Sequence, residues 1–130
     1  MHTEFLHPQQ TFPPLPCNTI VYRAMLRKNC IDKRTNRVTS SAFLRRPIDS
    51  KGLSVDLAEQ CTIDEVRGAF NSCFGVATLH VGRIRDIDLD VKQDNPKHAN
   101  IEGVPYQKDN TQEAERLAGQ LARQARLVWP

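Results

Sequence analysis

Apolar positions along this chain follow two periods. From Asn110 onward, Ala114, Leu117, Ala118, Leu121, Ala122, Ala125 and Val128 recur at the three- and four-residue intervals of one helical face. Asn110 is a good N-cap with Glu113 three residues on. Glu113 and Glu115 sit in the first turn, and Arg123 and Arg126 near the end, as the helix dipole favours. A long amphipathic C-terminal helix is predicted, its alanines allowing close approach to a sheet.

The rest of the chain alternates with period 2 in short runs. Thr19–Ala24 is β-branched and aromatic, with Ile20, Tyr22 and Ala24 on one face. Ser41–Leu44, Leu53–Val55, Phe74–Val81 and His98–Ile101 are further strands by the same reading. The cleanest alternation is Ile87, Leu89 and Val91 against Asp88 and Asp90. Thr62-x-x-Glu65 is a capping box that opens a short helix, with Ile63, Val66 and Phe70 down one side and an end near Asn71–Gly75. Met25–Arg37 reads as a loop or ragged hairpin, and Asp49–Gly52 and Asp94–Lys97 read as turns. Pro8, Pro13, Pro14 and Pro16 make residues 1–18 an arm, in which Phe5, Leu6, Phe12 and Leu15 are apolar enough to lie on the domain or on a partner. The expected architecture is a single α+β domain over residues 19–130. A mainly antiparallel or mixed sheet of five or six short strands is covered on one face by the C-terminal helix, with one short helix besides.

Composition adds limits. With 39% hydrophobic and 25% charged residues over 130 positions, disorder of the whole chain is excluded. No stretch reaches the ~20 apolar residues of a membrane span, and the N-terminal residues lack the pattern of a signal peptide, so a cytoplasmic protein without membrane partners is expected. Cys17, Cys30, Cys61 and Cys73 match no zinc spacing and read as thiols in a reducing compartment. No cofactor and no metal is indicated.

Charge is segregated. Arg23, Arg27, Lys28, Lys33, Arg34, Arg37, Arg45 and Arg46 face Asp32 alone, a net +7 over residues 23–46; residues 83–115 carry −3. A basic segment of this kind is an electrostatic footprint for phosphate. The leading expectation is a binding module in which Arg23, Arg27, Lys28, Arg34, Arg37, Arg45 and Arg46 contact nucleic acid or an acidic protein surface.

Two enzymatic readings stand beside it. Tyr22-Arg23 in the first strand, with Ser40-Ser41 and Ser54 at the next two, resembles the small ADP-ribosyltransferase-type toxins. That resemblance implies an arginine that holds dinucleotide phosphates and a serine opposite it, together with an acid for the ribose, for which Glu59, Glu65 and Glu102 are candidates. His80 and His98, converging with Arg83 or Arg85, would suit acid–base cleavage of RNA. Asp86, Asp88, Asp90 and Asp94 invite a metal reading, but the run lacks the glycine and terminal glutamate of a calcium loop and reads better as a polar outer face. A third class of function is a subunit of a larger assembly, docked through the N-terminal arm, the C-terminal helix or Val128-Trp129-Pro130.

Overall fold

A computed structural model describes residues 11–130. Phe5, Leu6 and Pro8 of the arm lie outside the described residues. The core is an antiparallel six-stranded sheet, and its strands are β1 (Ile20–Met25), β4 (Leu53–Leu57), β5 (Gly75–His80), β6 (Asp90–Asn95), β7 (His98–Glu102) and β8 (Arg126–Trp129). They lie in the order β6-β7-β4-β1-β5-β8. A separate two-residue ladder, β2 (Ile31–Asp32) with β3 (Arg37–Val38), forms the ragged hairpin of the basic segment. The expected fold class is the one observed.

The long helix α3 (Thr111–Gln124) covers one sheet face. Its Ala114, Leu117, Ala118 and Leu121 are buried, the last three in one cluster with Val21, Met25, Leu53, Val55, Leu79 and Ile101 of the strands. Asn110 Oδ1 accepts from the Glu113 amide at 3.1 Å. The capping box is formed in full at α1 (Ile63–Gly68), where the Glu65 amide donates to Thr62 Oγ1 at 3.1 Å and the Thr62 amide to Glu65 Oε1 at 2.9 Å.

Four local expectations are corrected. Ser41–Leu44 is not a strand, because a 3-10 turn occupies Ser40–Phe43. The consecutive residues Ala42 and Phe43 are both buried against α3, which a strand, with alternating faces, could not provide. The run from Ile87 to Val91 is not one strand. Val81–Arg85 is a short helix, α2, Asp88 takes a left-handed φ of 63°, and pairing starts only at Asp90. Asp88 and Asp90 therefore do not share a strand face. The C-terminal helix stops at Gln124, and Val128 belongs to β8 rather than to the helical face. Leu127 and Trp129 are the half-buried positions of β8, and Trp129 lies under the Arg67 guanidinium at 3.8 Å. Finally, Phe70 falls beyond the end of α1 and is 41% exposed rather than packed along it.

Residues 15–18 are fastened to the domain: Leu15 is buried, its carbonyl accepts from Arg85 Nη1 at 2.7 Å, and the Cys17 carbonyl accepts from the Gly82 amide at 2.8 Å. All four cysteines are free thiols. No helix among the described residues is long and apolar enough to cross a membrane.

One seam of the sheet is incomplete. Strand β1 pairs with β5 at all six of its residues, but with β4 at only Val21↔Leu57 and Tyr22↔Asp56. Beyond Tyr22 the two strands part. The ladder that would continue through Arg23, Ala24 and Met25 is replaced by a gap.

Candidate functional site

Arg23 fills that gap. Alternation along β1 puts its side chain on the α3 side of the sheet, between the buried Val21 and Met25. Its Nε donates to the Ala42 carbonyl at 3.0 Å, and its Nη1 donates to the Ser54 carbonyl of β4 at 2.8 Å. The guanidinium thus stands in for missing ladder bonds and ties together the 3-10 turn and two parted strands. Two of its five N–H groups are used in this way, and none of the described carboxylates forms an ion pair with it. Arg23 is only 8% exposed. Burial pushes its pKa down to about 10, opposed by attraction to Asp49, and it stays a cation at neutral pH. Asp49 itself is engaged by Arg46, whose amide donates to Asp49 Oδ2 at 2.8 Å and whose Nε lies 3.8 Å from the same oxygen.

A cleft of about 560 Å³ opens at the split, within the size range of small-molecule sites. Arg23 and Ala42 line it from the α3 side. Ser54, Asp56 and His98 line it from the other, because Ser54 and Asp56 alternate on β4 with the core positions Leu53, Val55 and Leu57, and His98 of β7 pairs across from Asp56. Arg27 and Arg46 supply further cations. Arg27 Nη2 donates to the Ser41 carbonyl at 2.8 Å. Ile48 (77% exposed) and Phe70 flank the cleft, two of the three large hydrophobic side chains left exposed among the described residues. Gly52 sets the approach of β4: its φ is +125°, and a Cβ there would fall on the Ile101 carbonyl.

On the β4–β7 side of the cleft lies a hydrogen-bonded chain. Asp94 Oδ1 is 2.7 Å from His98 Nδ1, and His98 Nε2 is 3.0 Å from Ser54 Oγ. Asn100 Nδ2 donates to the other Asp94 oxygen at 2.9 Å. Partial burial pushes the Asp94 carboxyl up, but the bonds from His98 and Asn100 outweigh it and hold the group below its ordinary range. Asp94 is then a carboxylate that only accepts, so in the neutral ring the proton belongs on Nδ1 and the Nε2 lone pair faces the Ser54 hydroxyl. Asp56, directly across from His98 on β4, differs: burial raises its carboxyl, with His98 opposing.

The sequence-derived candidates divide between the cleft and the surface. Arg23, Arg27, Arg46 and His98 meet at the cleft, as do Ser41 and Ser54. Arg45 holds the 45–50 loop, donating to the carbonyls of Asp49 (2.8 Å), Ser50 (2.9 Å) and Val104 (3.2 Å), and it stacks on Tyr106 at 4.0 Å. Lys28 is exposed ahead of the β2–β3 hairpin, while Arg34 and Arg37 are exposed on it. His80 ends β5, separated from His98 by β1 and β4, so three strand spacings of about 14 Å in all keep the two imidazoles apart. Arg85 is occupied by Asp90 at 3.0 Å and by the Leu15 carbonyl. Glu59, Glu65 and Glu102 are not at the cleft. Its acids are Asp49 and Asp56.

Sequence reasoning missed Asp49 and Asp56, and it named Asp94 only within the acidic run, not as a partner of His98. For Asp94 a signal was present: a turn over Asp94–Lys97 that closes a hairpin brings residue 94 alongside residue 98. No protein-family model, no curated protein and no solved structure matches this chain, so the reading of the cleft rests on its own chemistry.

Proposed function

We propose that the protein binds a phosphate-bearing small molecule of nucleotide type in the cleft between β1 and β4. The observation that carries this reading is Arg23: a buried cation, held in place by two main-chain carbonyls, with no carboxylate of its own among the described residues. Leaving a charge out of water without a partner costs several kcal/mol in real proteins, a cost that an anionic ligand offsets. Arg27 and Arg46 add to the field, and a fixed guanidinium suits the paired oxygens of a phosphate. Ile48 and Phe70 beside the cations favour a ligand with a planar apolar group as well as an anionic one. The basic segment keeps its phosphate chemistry in this reading, but its recognition is concentrated in a cleft rather than spread over a surface.

A dinucleotide is the second reading, favoured by the meeting of Arg23, Ser41 and Ser54 at one site, where the ADP-ribosyltransferase-type resemblance needs them. The acid available there is Asp56, in place of a glutamate.

Calorimetric titration with ADP, NAD and a mixed-sequence RNA tests both. ADP is expected to bind, more weakly as salt is raised, and to lose at least tenfold in affinity in Arg23→Gln and severalfold in Arg27→Ala and Arg46→Ala. NAD binding tighter than ADP would favour the dinucleotide. Equal ADP affinity in the wild type and all three variants would remove the phosphate reading. RNA binding that depends on Arg34 and Arg37, but not on Arg23, would return the function to the hairpin surface.

A further inference from the structure

The relay beside the cleft has more order than a cross-strand pair needs. Ser54 and His98 sit on adjacent strands, on one face, as diagonal neighbours in a register where Ser54 opposes Asn100 and Asp56 opposes His98. A hydrogen bond between their side chains alone would be ordinary sheet chemistry. Here the ring is also fixed from behind by Asp94, and Asp94 is fixed by Asn100, a residue only 6% exposed. Two further groups thus set the tautomer of one imidazole. Its free lone pair faces a hydroxyl that is exposed at the cleft. The main-chain carbonyl of that same serine is bonded to the guanidinium of Arg23.

We propose that Ser54 is a nucleophile that cleaves a phosphate ester or anhydride, with His98 as its general base and Asp94 as the positioning residue for the ring. The substrate class rests on the phosphate reading of the cleft; the activation of Ser54 does not. In the first step Ser54 Oγ forms a bond to phosphorus while the bond from phosphorus to the leaving oxygen breaks. The hydroxyl proton passes to Nε2 of His98 and from there to the leaving oxygen. In the second step a water molecule gives a proton to Nε2 as its oxygen attacks the same phosphorus. The seryl–phosphorus bond breaks and Ser54 Oγ takes that proton back. Negative charge that builds on the phosphoryl oxygens is met by Arg23, with Arg27 and Arg46 lining the same cleft. The residues act as an acid–base and nucleophile set recognised by geometry rather than by sequence order.

The test is the full chain treated with a fluorophosphonate, which transfers its phosphonyl group to an activated serine with loss of fluoride, read by intact mass and peptide mapping. The expected result is a single adduct on Ser54, absent in Ser54→Ala, retained in Ser72→Ala, an exposed serine outside the cleft lining, and formed at least tenfold more slowly in His98→Gln and Asp94→Asn. Both slow variants are checked for an unchanged melting temperature. For Asp94, imidazole NMR supplies a readout that packing alone would not move: the His98 proton sits on Nδ1 in the wild type and shifts to Nε2 in Asp94→Asn. Turnover of bis(4-nitrophenyl) phosphate, followed by 4-nitrophenolate release, should fall in the same variants. No adduct on Ser54 of the folded protein, or an adduct that forms equally fast in His98→Gln, overturns the nucleophile. An adduct together with absent ADP binding leaves the nucleophile standing and overturns the phosphate substrate.

Discussion

Strand β1 has two edges, and they do different work. Along β5 every residue is paired, from Ile20↔His80 to Met25↔Gly75, and Arg23 faces Ala77, which is fully buried. Along β4 the pairing lasts two residues and then gives way to a guanidinium and a cleft. A ladder bond and an arginine bond to the same class of carbonyl satisfy a similar need, since each supplies a donor to a main-chain oxygen that would otherwise lie unpaired. The arginine, however, brings a charge and holds the strands apart. The paired seam is therefore held by ladder bonds alone, and the parted seam is one where, under the proposed function, stability and ligand binding share a residue.

That contrast can be broken first at the paired seam. Leu79 of β5, opposite Val21, is 1% exposed. Leu79→Ala should cost about 2–5 kcal/mol, measured by denaturant unfolding. At temperatures where the variant is folded its ADP affinity should match the wild type, and a matching loss of affinity would mean that the two seams are not separate.

Asn100→Ala probes the far side of the relay and should act more mildly. It removes one bond to Asp94, with an expected loss of about 1 kcal/mol by urea titration. The Asp94 carboxyl lies below its ordinary range in the fold, so its stabilisation is present above the carboxylate pKa of the unfolded chain and fades as pH falls through the lower folded value. The wild type should accordingly lose stability on acidification faster than Asn100→Ala, and parallel curves would refute the coupling.

Asp56→Asn gives the smallest effect and has the opposite sign. Burial raises the Asp56 carboxyl, so the charged form is disfavoured in the fold. The variant should gain up to about 1 kcal/mol near neutral pH, discounted for partial exposure. The gain should vanish as pH falls through the raised folded value and the unfolded one. A variant less stable at neutral pH would show that Asp56 has a partner in the cleft.

Much of the fold was legible in the residues. The C-terminal helix could be read because its apolar face, N-cap and end charges agree, and the short helix because Thr62 and Glu65 satisfy each other's amides without help from the rest of the chain. The site was legible in pieces. Arg23, Ser54 and His98 could each be singled out, and the charge of the basic segment was plain, but nothing in their spacing says that β4 lies between β1 and β7. Where local pattern failed, a long-range partner had decided. Ser40–Phe43 winds into a 3-10 turn because α3 buries two consecutive residues, and Arg126–Trp129 leaves the helix because β5 offers an open edge.

By itself, then, the sequence determined the elements whose stabilising bonds lie within a few residues of one another: the two capped helices, the central strand, and a cationic segment early in the chain. The tertiary structure alone decided that strand β1 would part from β4, that Arg23 would be buried in the gap, and that Asp94, His98 and Ser54 would meet beside it. The reason is one of range. A cap or a helical face is a contact over three or four residues, whereas the Arg23–Ser54 and Ser54–His98 bonds join positions 31 and 44 residues apart, which only the completed sheet brings together.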